Sequence, residues 1–274
     1  MRQWQRKWSL AAMAVALVGA VTLQAGSVAA APGGVAGEVA ALQGLVANQQ
    51  IQINTLKKQV ENLSATLLPL QALAPYVSVD PEPINDLNGP HIIFTGANVH
   101  IRSNQEVTYG NNGLGNLVVG YNWPNVHGPE GYRGGSHNLV IGDQHSYSAS
   151  GSLVAGIYNT TSAHGASVSG GSNNKASAQW SSVSGGANNK ASATFSSVTG
   201  GEFNQASALG ASVCGGKDNK ATGGFSSISG GYSNSATGGY SVVIGGGYNT
   251  ASGNCSTERG GDQKKATDDF GFYP

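Results

Sequence analysis

The residues able to do chemistry are few, and their spacing limits what they can do. All six histidines, His91, His100, His127, His137, His145 and His164, fall within one stretch of the chain. Imidazole is a common metal ligand, but no pair stands at a recognised ligand spacing, so solvent-facing or turn roles are expected. The two cysteines, Cys214 and Cys255, occupy different phases of a repeat described below. Coils about 4.8 Å apart would leave them beyond disulfide distance, and two free thiols are expected. The glycine-rich GLGNLVVG lies among strands, without the helix N-terminus that would cradle a phosphate. Serine is so frequent that no Ser–His–Asp set can be singled out. No catalytic, cofactor-binding or metal-binding residue is assigned, and no cofactor is expected.

Any site would have to be held by elements that a plain composition can build. Of 274 residues 42 are glycine and only 10% are charged, which argues against a large conventional core. The first 31 residues follow a secretory plan: Arg2, Arg6 and Lys7, an apolar run from Leu10 to about Leu23, then Ala29-Ala30-Ala31 before Pro32. Cleavage after Ala31 and export are expected, because the run is shorter than the roughly 20 residues of a bilayer span. No transmembrane helix is expected in the mature chain. Loss of those three basic residues leaves 11 Lys and Arg against 14 Asp and Glu, a net of −3. That balance argues against nucleic acid or an anionic membrane as the main partner.

From Val35 to Leu70 the apolar residues keep a heptad. Val39, Val46, Ile53, Val60 and Leu67 take one position; Val35, Leu42, Leu56, Leu63 and Leu70 take the other, with Gln49 the polar exception. A 3.5-residue period predicts a coiled coil over residues 35–70 and association with copies of the same chain. Its seam comprises Val39, Leu42, Val46, Ile53, Leu56, Val60, Leu63 and Leu67. The competing reading is an amphipathic helix packed on its own domain, which Gly44 and the early alanines favour. β-Branched residues at one position with leucine at the other lean toward two strands. Pro69 and Pro75 are expected to end the helix, leaving residues 71–90 as a linker.

Further on, an apolar residue returns every 15 positions: Leu153, Val168, Val183, Val198, Val213, Ile228 and Val243. Six residues after each stands an asparagine: Asn159, Asn174, Asn189, Asn204, Asn219, Asn234 and Asn249. Eight after comes alanine, except for Thr161 in the first unit. A fixed period of this kind predicts an all-β parallel β-roll or solenoid with about 15 residues per coil, regular over residues 153–257. Valine and alanine are small enough to face into a thin coil, and glycine and asparagine accept the positive φ of tight turns. Asparagines stacked at the strand spacing can also bond to one another along the axis. One valine and one alanine per coil bury little apolar surface, so side-by-side packing of copies is expected. Trp180, Phe195, Phe225 and Tyr240 all fall twelve residues after the apolar position. They predict a stacked aromatic strip, either at a subunit interface or as an exposed binding ridge.

The phrases SVSGGSNNKAS, SVSGGANNKAS and VVIGGGYNTASG resemble the head repeats of trimeric autotransporter adhesins of the YadA type, whose units read roughly S-V-A-I-G-x-x-S-x-A. The resemblance covers about Leu139 to Gly253. It implies a left-handed roll with three chains side by side. The whole layout also resembles a family of exported bacterial repeat proteins with no established activity. Two departures stand out. The helix precedes the roll instead of following it, and the tail ERGGDQKKATDDFGFYP lacks the alternating apolar strands of a membrane anchor.

Between helix and repeats, His91 to Ser103 alternate apolar and polar, and Leu117–Val119 and Leu139–Ile141 are short apolar runs. Residues 91–152 are therefore read as irregular first coils and a cap, with Trp123 to Arg133 covering the open end and residues 258–274 forming a cap or tail. A 15-residue period does not match the roughly 18-residue coils of hexapeptide acyltransferases. Nonapeptide calcium rolls need aspartate columns, and the repeats hold only Asp218. The expected function is that of a non-enzymatic, secreted or cell-surface adhesin-like protein, an oligomeric stalk plus β-roll head that attaches to surfaces or cells. The alternative is a structural spacer, filament or envelope-layer subunit. Its expected partners are copies of itself and a cell-surface or matrix ligand.

Overall fold

A computed structural model describes residues 34–124 and 132–273. The leader expected at residues 1–31 and His127 lie outside the described residues. The chain divides into two compact units, Met1–Asn98 and Val99–Pro274.

In the first unit helix α1 runs Gly34–Leu73, 40 residues that contain the whole heptad stretch. None of them is buried, and every seam residue from Val39 to Leu67 is exposed. Pro69 lies inside the helix rather than ending it. A proline removes its own bond to the carbonyl four residues back, but the helix continues to Leu73 and stops before Pro75. There the Tyr76 N–H donates to the Leu73 carbonyl at 2.9 Å. Next, β1 (Val77–Asp80) pairs antiparallel with β2 (His91–Phe94), Val77 opposite Phe94 and Asp80 opposite His91. Two expectations are corrected here: residues 71–90 are not a plain linker, and His91–Phe94 is not a first coil of the roll. Alternation in HIIF specifies a strand but not its partner, and VSVD supplies a nearby edge of the same character.

The second unit is a parallel β-solenoid with one sheet of eleven strands and one of nine. It opens with β3 (Leu117–Val119), β4 (Leu139–Asp143), β5 (Ser146–Tyr147) and β6 (Leu153–Ile157). Thereafter each coil gives one two-residue strand to each sheet, in a 15-residue register such as Val183 opposite Val198 and Ala191 opposite Ala206. β-Branched valine suits a strand, and alternation sends it inward while the serines on either side face out. Three columns line the interior: valine or isoleucine, alanine, and a mixed file that includes Ser181, Ser196, Ala211 and Ser226. The third column was not anticipated from the repeat.

Leu153 is not in the core. It is half-buried opposite Ser167, whereas Val154 is fully buried opposite Val168. The steps from Val140 to Val154 and from Val154 to Val168 are 14 residues, not 15. Leu153 kept the 15-residue count only because Leu and Val stand side by side where the turn is one residue shorter.

The tail also differs from its reading as a cap. Thr257–Glu258 pairs with Val242–Val243, Lys265–Ala266 with Thr250–Ala251, and Phe272–Tyr273 with Thr257–Glu258, so residues 258–273 continue the roll. Register places Glu258 in the valine column at 0% exposure. Its Oε1 accepts from the Gly260 N–H at 3.3 Å, and its Oε2 has no partner. An orphaned buried polar atom costs about 1–3 kcal/mol. Glu258→Val is therefore expected to stabilise the last coils by about that amount, read as a rise in the urea midpoint. An unchanged or lowered midpoint would contradict this reading.

Candidate functional site

Two turns close each coil, and each turn holds one residue in the left-handed region so that its N–H reaches back to the previous coil. Asn188 (φ 58°) donates to the Ser172 carbonyl at 3.0 Å, and Phe195 (φ 60°) to that of Gln179 at 3.2 Å. The two turns build two lines of side chains along the roll, one sealed inside and one exposed.

The inner line is the asparagine ladder. Asn159, Asn174, Asn189, Asn204, Asn219, Asn234 and Asn249 are all buried. Each Oδ1 accepts the backbone N–H of the next member, from Asn174 N–H on Asn159 at 2.8 Å to Lys264 N–H on Asn249 at 2.9 Å. Each Nδ2 donates to glycine-turn carbonyls; for Asn204 these are Gly200 and Gly216, both at 2.9 Å. The amides thus bond to main chain rather than to one another, because an amide that serves two carbonyls and one N–H has no donor left for its neighbour. Nor do these asparagines take the positive φ expected of them. That falls to the preceding residue, Tyr158, Asn173, Asn188, Phe203, Asp218, Ser233 or Tyr248. Two further members, Asn122 and His145, precede Asn159 and were missed, since their spacings are not 15. The His145 N–H donates to Asn122 Oδ1 at 2.9 Å, and the Asn159 N–H points at His145 Nδ1 at 3.2 Å.

The exposed line holds the four predicted aromatics, all left-handed: Trp180 (φ 55°), Phe195 (φ 60°), Phe225 (φ 56°) and Tyr240 (φ 56°). They form two stacked pairs, Trp180–Phe195 at 5.0 Å and 16° and Phe225–Tyr240 at 5.3 Å and 10°. The strip is not continuous: Gly210 (φ 64°) stands between the pairs, and a Cβ there would lie 2.5 Å from the Phe225 ring. Gly165, Cys255 and Phe270 share the same left-handed column. About half of each ring stays in solvent, from 48% for Trp180 to 61% for Tyr240. A left-handed non-glycine residue costs on the order of 1–2 kcal/mol. Stacking offsets about 0.5–1.5 kcal/mol per pair, and the covered half of each ring contributes about 1 kcal/mol. These terms nearly cancel, and Gly165 and Gly210 hold the same turn without a ring. The aromatics therefore add an exposed apolar surface rather than fold stability.

The remaining candidates do not converge. His91 Nε2 sits 3.1 Å from the Leu87 carbonyl in the first unit. His137 bridges the Ser103 N–H and the Thr108 carbonyl, His164 packs edge-on to Tyr109 at 4.5 Å, and His100 is exposed. No three His, Cys, Asp or Glu side chains come together to hold a metal among the described residues. Cys214 and Cys255 are free. Among the described residues no helix is long and apolar enough to cross a membrane. No protein-family model matches the sequence, and no curated protein matches it.

Proposed function

We propose that this is a non-enzymatic attachment protein, an exported homotrimer, secreted or held at the cell surface. Copies of α1 form a coiled-coil stalk, and three left-handed rolls lie side by side as a head whose aromatic line contacts other surfaces or cells. The observation that carries this reading is the aromatic line itself: four rings kept in a left-handed turn that glycine occupies equally well, half in solvent, with near-zero benefit to the fold. The fully exposed heptad seam of α1 supports association of copies, and the likeness of the repeats to adhesin heads supports three chains and the left hand.

Glycine is the fold-neutral replacement in this column. A variant with Trp180→Gly, Phe195→Gly, Phe225→Gly and Tyr240→Gly is expected to keep the roll's circular dichroism. It should bind untreated polystyrene about tenfold less or weaker still, since about 1.4 kcal/mol, less than the exposed halves of two rings contribute together, is a factor of ten. Equal attachment of both proteins, or no attachment of the native one to polystyrene or cells, would refute the reading. Electron micrographs showing native polymers with no attachment would instead favour a filament or envelope subunit.

A further inference from the structure

The buried ladder contains one imidazole. His145 is fully buried and holds the place that Asn159 takes one coil later. Its ring reproduces both halves of an asparagine amide. Nδ1 faces the Asn159 N–H at 3.2 Å, as Oδ1 does elsewhere in the ladder. Nε2 lies 3.0 Å from the Ile141 carbonyl four residues back, as Asn189 Nδ2 lies 3.0 Å from that of Gly185. Only a neutral ring with its proton on Nε2 meets both demands. Because the His145 main-chain N–H donates to Asn122 Oδ1 while its ring faces Asn159, this one residue joins the irregular first coils to the regular roll.

An amide does not titrate near neutral pH, whereas imidazole does. A proton added at Nδ1 would point at the Asn159 N–H, leaving two donors face to face with no acceptor between them. Burial holds the ring below the ordinary histidine value of 6.5, outweighing backbone groups of Ile141, Asn159 and Gly156 and the Asp143 carboxylate, which favour the charged form. The charged groups facing it among the described residues are Asp143, from β4, and Arg133, whose Nε donates to the His145 carbonyl at 3.2 Å; neither bonds to Nδ1. The hydroxyl of Tyr147, two residues on, accepts from Asn122 Nδ2 at 3.5 Å.

We propose that His145 is an acid-sensitive latch: as the pH falls, the joint between His145 and Asn159 opens and loosens the first coils, residues 117–124 and 132–158, while the roll beyond Asn159 keeps its register. The folded ring binds a proton less readily than the unfolded one. The latch is therefore at full strength above about pH 6.5, weakens as the pH drops below it, and levels off once the folded ring is itself protonated. Within that window the opening equilibrium rises by up to about tenfold per pH unit.

The test is hydrogen exchange of the full chain at pH 7.5 and 5.0, corrected for the intrinsic pH dependence of exchange. The native protein should lose about tenfold of its protection in residues 132–158 and little in residues 174–250. His145→Asn, which installs the ladder's usual residue, should stay protected at both values, and His145→Ala should be unprotected at both. Equal protection of the native first coils at both values, or an undiminished acid loss in His145→Asn, would overturn the proposal. If His145→Asn is already unprotected at pH 7.5, nitrogen NMR of the native ring decides. The proposal requires the Nε2–H form at pH 7.5 and a titration that coincides with loss of the Asn159 amide signal. An Nδ1–H form, or titration without that loss, would overturn it.

Discussion

Asn204→Ala is expected to cost the roll about 2–3 kcal/mol, more than most single surface or core changes. The substitution removes the acceptor of the Asn219 N–H at 3.0 Å and the donor to the Gly200 and Gly216 carbonyls at 2.9 Å each. The Asn219 N–H is buried, and orphaning it costs about 1–3 kcal/mol; Gly200 is half-buried and Gly216 exposed, so water can serve their carbonyls in part and they add less. The Gly216 carbonyl keeps its second donor, the Glu202 N–H at 3.0 Å, which sets the sum below three full penalties. Asn204→Asp should be worse at neutral pH. Its carboxylate can still accept from Asn219 but turns a buried negative charge toward two carbonyl oxygens. Asn188→Gly is the control. Asn188 has φ 58°, where glycine fits, so its midpoint should move by about 0.5 kcal/mol or less. Urea unfolding followed by circular dichroism reads all three, and a loss below about 1 kcal/mol for Asn204→Ala would remove the ladder from the account of the fold.

The second large effect concerns association. Ile53→Asn together with Leu56→Asn is expected to convert the proposed trimer to single chains while the β signal of the roll persists, because the roll's valine and alanine columns lie wholly within the second unit. Each withdrawn side chain loses about 1.5–3 kcal/mol of burial, on the order of 10 kcal/mol over three chains. Such a loss weakens assembly by many powers of ten. A 40-residue helix with every seam residue in water has no packing partner among the described residues to stabilise it, and helices draw most of their stability from packing an apolar face. Sedimentation velocity of the variant reads the outcome; an unchanged assembly would place the interface elsewhere.

How much of this was readable beforehand depends on what each signal constrains. In a stacked parallel register the residues at i and i+15 meet, so Val183 and Val198 had to share a type and the period showed through directly. Leu153 misled because the neighbouring apolar Val154 lies in the core, in a coil one residue shorter. The asparagine column was visible as a column, but its bonding was not. Composition cannot say whether an amide reaches a side chain or a main-chain carbonyl, and that is settled by the glycine carbonyls it faces. His145 was hidden by both effects, a 14-residue step and a residue type that resembles asparagine only in where its ring nitrogens sit. The four aromatics were found by spacing, yet the glycine that divides them, Gly210, lies at the same spacing and carries no apolar signal. The hairpin of Val77–Asp80 with His91–Phe94 went unread because strand pairing across a short loop depends on register, which two four-residue strands specify weakly.

The central claim is that three chains are held by the α1 seam and carry their rolls side by side. Sedimentation equilibrium of the purified protein measures this most directly. The account predicts a mass three times that of one chain, constant across concentration. Two chains would keep the seam but overturn the three-fold head, and a mass of one chain would contradict the account as a whole.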